Sequence, residues 1–103
     1  MSRIDALREL LAETPHDAFT RYALAMELRQ ADRLPEALAE FRLLIERSPE
    51  YTATYLMAGE CALDFGDRQE AARILRQGIE ACTRAGEAHA SQKCAQALAD
   101  LER

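Results

Sequence analysis

Apolar residues recur at three- and four-residue intervals in six stretches, separated by polar breaks that carry proline, glycine or aspartate. The first predicted helix covers residues 2–13, with Ser2 available as a cap and Ile4, Leu7, Leu10 and Leu11 as its stripe. Pro15 stops it, because proline disfavours helical geometry in the residue before it and cannot extend the hydrogen-bond ladder. The second helix, over 17–31, carries Tyr22, Leu24, Ala25 and Leu28. Asp32 and Arg33 form the next break, and Pro35 suits the first turn of a third helix over 35–48. Its stripe is Ala37, Leu38, Phe41, Leu44 and Ile45, and Pro49 ends it. A fourth helix over 51–65 places Tyr55, Ala58, Cys61 and Ala62 on one side, and Gly66 supplies a left-handed C-terminal residue. Asp67 initiates a fifth over 69–84, with Ala71, Ala72, Leu75 and Ile79. After Gly86 a last helix over 87–101 is expected to fray at its C-terminal end.

Each helix is apolar on one side only, so none can cover its stripe alone. The short links between them favour antiparallel neighbours. Spacing then decides between a closed bundle and a stack. Leu7, Phe41 and Leu75 follow one another at 34 residues, as do Leu11, Ile45 and Ile79. Pro15 pairs with Pro49, Ala37 with Ala71, and Ala25 with Gly59 at the same interval. Repetition at this period implies a helical hairpin stacked on copies of itself. Ala25, Gly59, Ala37 and Ala71 let helices approach, and Phe41 and Leu75 are expected to fill the space between adjacent hairpins.

These positions resemble the tetratricopeptide repeat family. Residues 18–51 match its pattern at Leu24-Ala25, Leu28, Ala37, Phe41 and Pro49, and residues 52–85 at Tyr55, Gly59, Gly66-Asp67, Glu70-Ala71 and Leu75. Residues 2–15 look like the second helix of a preceding half-repeat, and residues 87–101 like a capping helix, with Cys94-Ala95 and Leu98 in phase. The resemblance implies an all-α, right-handed α-solenoid of antiparallel helical hairpins forming a single domain over 1–103. Departures are Arg21 for the usual aromatic, Asp32 for the turn glycine and Ala58 for leucine. Gly78 and Thr83 stand at the late alanine and proline positions, and the last helix begins about two residues late.

Composition agrees with closely packed helices: there is no valine or tryptophan, and alanine, leucine, glutamate and arginine are plentiful. The net charge of −5 divides as −3 over residues 1–50 and −2 over 51–103, with no basic tail or stripe to attract a phosphate backbone. Nucleic acid is therefore an unexpected partner. No apolar run reaches the roughly 20 residues that span a bilayer, and the opening residues lack a signal-peptide core. No membrane partner and a cytoplasmic setting are the expectation.

Candidate chemistry is sparse. His16 sits at a helix boundary, and His89 lies five residues from Cys94, which turns the two side chains to different faces. Cys61 and Cys94 are expected as small core residues, while Cys82 leaves open a reactive or dimer-linking thiol. Glu36 and Glu40 share a helix face, and Asp64 and Asp67 flank a turn, patterns that solvated helices commonly carry. There is no metal-ligand spacing and no phosphate-cradling glycine loop. A non-enzyme without cofactor or metal is expected.

A stack of hairpins curves, and its concave side is lined by the first helix of each unit. In this register Tyr22, Met26 and Arg29 belong to one such helix and Leu56, Glu60 and Leu63 to the next. The four apolar residues would form a strip for a peptide or partner helix, with Arg29 and Glu60 giving direction. Two alternatives compete: a homodimer closed over the same strip, or internal packing of Tyr22 and Leu63 against the first or last helix. Some members of the resembled family clamp a C-terminal carboxylate with basic side chains. Tyr22, Met26 and Met57 occupy such positions here and disfavour that use.

Overall fold

A computed structural model describes residues 1–103. It contains α1 (Arg3–Glu13), α2 (Ala18–Gln30), α3 (Leu34–Arg47), α4 (Ala53–Asp64), α5 (Arg68–Arg84) and α6 (Ala88–Glu102). Short polar residues set the starts. Ser2 and Asp5 satisfy each other's backbone N–H groups in a capping box, and Asp17 and Asp67 accept from the N–H groups of Phe19 and Glu70. The predicted helices all form, with ends shifted by one or two residues.

Two kinds of turn alternate. After α2 and α4, a residue with positive φ reverses the chain: Asp32 at 61° and Gly66 at 92°. In each case the following N–H donates five residues back, Arg33 to Leu28 and Asp67 to Ala62, both at 2.9 Å. Asp32 thus performs the glycine's task in the unit where glycine is missing. After α1 and α3, Pro15 and Pro49 end the helix. No proline stands at residue 83, so α5 runs on to Arg84 and ends in the other kind of turn, at Gly86 with φ 74°. That extension is why α6 starts late.

Neighbouring helices pack as successive hairpins around one continuous core from Leu11 to Leu101. α4 lies against both α2 and α6, whereas α3 approaches neither α1 nor α5. The second-type helices are therefore splayed on the outside of the curve. Phe41 and Leu75 are buried as expected. Each also has a close contact on the partner helix of its own hairpin. Phe41 meets Tyr22 edge-on with ring centroids at 6.4 Å, and Leu75 covers Gly59.

Arg21, a departure in the sequence, has a defined role. It is 8% exposed and donates to Glu40 at 2.6 Å and to the Pro15 carbonyl at 3.1 Å. One repeat later Tyr55 is buried and donates to the Pro49 carbonyl at 2.6 Å. Residues 21 and 55, and Pro15 and Pro49, are each 34 apart. Two unlike side chains therefore tie the same proline turn to the core. Thr20 and Thr54 show the reverse case. Thr20 donates to Asp17, but Tyr51 replaces that aspartate in the second unit and leaves the buried Thr54 hydroxyl unpartnered.

The C-terminal end of α6, where fraying was expected, is tied to α5. Leu101 is buried, Arg68 of α5 donates to its carbonyl, and Arg76 pairs with Glu102. All three thiols are buried, which corrects the open reading of Cys82 as reactive or dimer-linking. Burial also pushes the thiol pKa up at each, to about 11 at Cys94, so little thiolate forms at neutral pH. His89 is exposed while Cys94 is buried, and no pair forms.

Gly78 on α5 is crowded from two sides, by Tyr55 of its own hairpin and by Cys94 of α6. A Cβ there would lie 2.6 Å from Tyr55 Cβ and 3.0 Å from Cys94 Sγ, whereas one at Gly59 would meet the movable end of Leu75 at 2.7 Å. Alanine gains about 0.5–1 kcal/mol of helix preference at either site. Gly78→Ala should nonetheless destabilise by about 1–3 kcal/mol, because the Tyr55 backbone must move. Gly59→Ala should lose less, because Leu75 can change rotamer. Urea denaturation of both variants gives the order; a reversed order would place the close crossing elsewhere.

Long side chains bridge the splayed outer helices. Arg33 and Arg8 both donate to Glu36, at 2.7–2.9 Å, and Arg42 reaches Glu70. Hydrogen bonds from Arg33, then Arg8, hold the Glu36 carboxyl at about 2, below its ordinary 4.5. A depressed carboxyl pKa contributes stability that is complete above the unfolded value and lost as pH falls through the folded one. The melting temperature should therefore fall between pH 4.5 and about 2, and Glu36→Gln should flatten that fall. Identical profiles for the two proteins would mean the bridge does not persist in solution.

Candidate partner-binding surface

The inner helices α2 and α4 carry the candidate surface. On α2, Leu24, Ala25 and Leu28 turn into the core, which leaves Phe19, Tyr22, Met26 and Gln30 on the flank away from it. On α4, Tyr55, Ala58, Gly59 and Ala62 are buried, and Leu56, Glu60, Leu63 and Asp64 remain at least partly accessible. All six residues singled out in the sequence thus lie on these two helices and keep some access to solvent.

Their environments differ. Tyr22 is half-buried, set edge-on against Phe41 and 5.8 Å from the Tyr51 ring. Burial first, and then Tyr51, raise the pKa of its hydroxyl. Its ring neighbours are Phe41 and Tyr51, and Leu63 is 42% exposed, which disfavours internal packing of Leu63. Met26, Leu56 and Met57 are partly buried against the core.

Arg29 is engaged within the chain. Its Nε and Nη2 donate to Asp64 at 3.1 and 2.9 Å, and Nη1 donates to Glu60 at 3.4 Å and approaches Met57 Sδ at 3.9 Å. Partial burial works to lower its pKa, but Asp64 and Glu60 outweigh that and leave it raised. Arg29 and Glu60 therefore hold α2 and α4 together at this surface.

Sequence reasoning missed four contributors. Phe19, 66% exposed, precedes Tyr22 and Met26 by three and seven residues, a helical spacing that would have revealed it. Asp64 looked like part of a turn. Asp32 comes from the α2–α3 link and Leu34 opens α3, and neither has an apolar period to announce it. With Met26, Arg29, Gln30 and Asp64 they line a depression of about 450 Å³ at the C-terminal ends of α2 and α4. No group of histidine, cysteine or carboxylate side chains is arranged to hold a metal ion, and no helix is long and apolar enough to cross a membrane.

Neither a protein-family model nor a curated protein matches the sequence. Solved structures do. A tetratricopeptide repeat domain protein from Salinibacter ruber matches in its solution structure with a TM-score of 0.81, covering 85% of this chain and 89% of its own. The crystal structure of a Salinibacter ruber tetratricopeptide repeat domain protein gives 0.78, covering 84% of this chain and 97% of its own; both are 34% identical. A Bordetella parapertussis protein shares the fold over the whole chain and 90% of its own, with a TM-score of 0.83 at 20% identity. The 34-residue hairpin period, the alternating turns and the Salinibacter relatives agree: this chain belongs to the tetratricopeptide repeat family.

Proposed function

We propose that this protein is a non-catalytic interaction module that presents the α2–α4 surface to a peptide or helix of a partner protein. Its repeat fold is of a kind generally used for protein interaction. In this reading residues 18–51 and 52–85 are two repeats, 2–15 is a half-repeat and 87–101 caps the array within a single domain. The observation that carries it is the exposure of Phe19 and Leu63 beside Tyr22, Met26 and Leu56 on the inner helices. Large exposed apolar side chains gathered on one face mark contact sites. Helix packing and the Arg29 bridge fix these side chains before a partner arrives, which lowers the ordering cost of binding.

The test is affinity capture from cells with wild type, Met26→Glu and Leu56→Glu. Both residues are only partly buried, so the variants should keep their helical circular dichroism and lose a specific captured partner, with affinity falling at least about tenfold. Retention of every specific partner by both folded variants would require abandoning this face. A homodimer would instead show as concentration-dependent mass.

A further inference from the structure

The geometry points to a partner segment that joins an apolar side chain to a lysine or arginine, the cation seated at Asp32, Glu60 and Asp64; this rests on the interaction reading above. Arg29 is the one cation lining the depression, and its donors are already committed to Asp64 and Glu60. An acidic ligand would find no uncommitted cation there. The carboxylates, in contrast, retain acceptors. Asp64 receives Arg29 through Oδ2 alone, Glu60 through Oε1 alone, and the Asp32 side chain has no partner. Asp32 and Asp64 line the depression and Glu60 joins them through Arg29, so three carboxylates against one guanidinium leave a net charge of −2 at this end.

The apolar side chains continue from it toward Phe19, ten residues and about 15 Å along α2 from Arg29. Apolar at one end and negative at the other, the surface is polar in sequence direction as well as chemistry. Charge complementarity therefore selects a basic occupant with an apolar anchor. A second copy fits less well. Each chain carries −5, so two copies repel rather than attract at long range.

The experiment uses three fluorescein-labelled peptides of equal length and identical leucine content, bearing lysine, glutamate or glutamine at the remaining positions. Anisotropy with the full chain should show the lysine peptide binding most tightly, and its affinity should fall as salt rises. Asp32→Asn with Glu60→Gln should weaken that peptide at least about tenfold and leave the glutamine peptide nearly unchanged. Asparagine tolerates the positive φ of residue 32, so this variant keeps the turn. Equal or tighter binding of the glutamate peptide overturns the inference, as does no binding of the lysine peptide up to about 1 mM.

Met26→Glu separates the two levels. If the three peptides bind wild type equally and Met26→Glu abolishes all of them, the contact face stands and the charge preference falls. If it alters none, both fall. A mass measurement showing a dimer that excludes peptide assigns the face to a second copy instead.

Discussion

Phe41→Ala lowers the free energy of unfolding by about 3–5 kcal/mol in urea titrations, with an unchanged denaturant slope. Phe41 is 0% exposed and supports the Tyr22 ring from below. Truncation leaves a void between α2 and α3 that the surrounding side chains can fill only in part. The loss is a large fraction of the roughly 5–15 kcal/mol that domains of this size possess. Because Tyr22 rests on this ring, the proposed partner surface should loosen too. Phe41→Leu tests the register, since Leu75 occupies the equivalent place 34 residues on. It should cost clearly less than alanine. A loss below about 1 kcal/mol for Phe41→Ala would mean that the ring does not fasten the hairpin.

The second large effect concerns a pair that the two repeats build differently. Arg21→Ala should destabilise by about 2–4 kcal/mol, because it strands Glu40 and frees the Pro15 carbonyl. The figure lies below that for a fully buried pair because the Glu40 side chain is 21% exposed. The neighbouring repeat supplies the control. Tyr55 stands where Arg21 does, and the buried Ile74 where Glu40 does. Arg21→Tyr with Glu40→Ile transplants that apolar solution, and should return stability to within about 1 kcal/mol of wild type or above it. A double-mutant cycle in urea measures the coupling. A double variant as unstable as the sum of its singles would show that the two positions are not interchangeable between repeats.

That exchange also shows what the sequence does and does not disclose. Helix ends were legible because Ser2, Asp17, Pro15, Pro49 and Gly66 act through local geometry, which needs no partner to be understood. The stack was legible through the 34-residue period. Arg21, Asp32 and Gly78 looked like lapses in that period, and each turned out to meet the same physical demand by other means. Arginine reaches the proline carbonyl, aspartate accepts the left-handed backbone, and glycine makes room for Tyr55 and Cys94. The candidate surface was half legible. Apolar spacing gave Tyr22, Met26, Leu56 and Leu63, but the partnership of Arg29 with Asp64 depends on how far one hairpin is turned against the next.

The unequal anchoring of the two ends gives the array a direction of opening. α1 packs on α2 and fully buries only Leu11, while α6 packs on both α4 and α5 and buries Cys94 and Leu101. α4 touches four other helices. In a nearest-neighbour array, local unfolding starts where the interface is smallest and spreads inward. This molecule should unzip from α1, and amides of α2 should then exchange with solvent before those of α4.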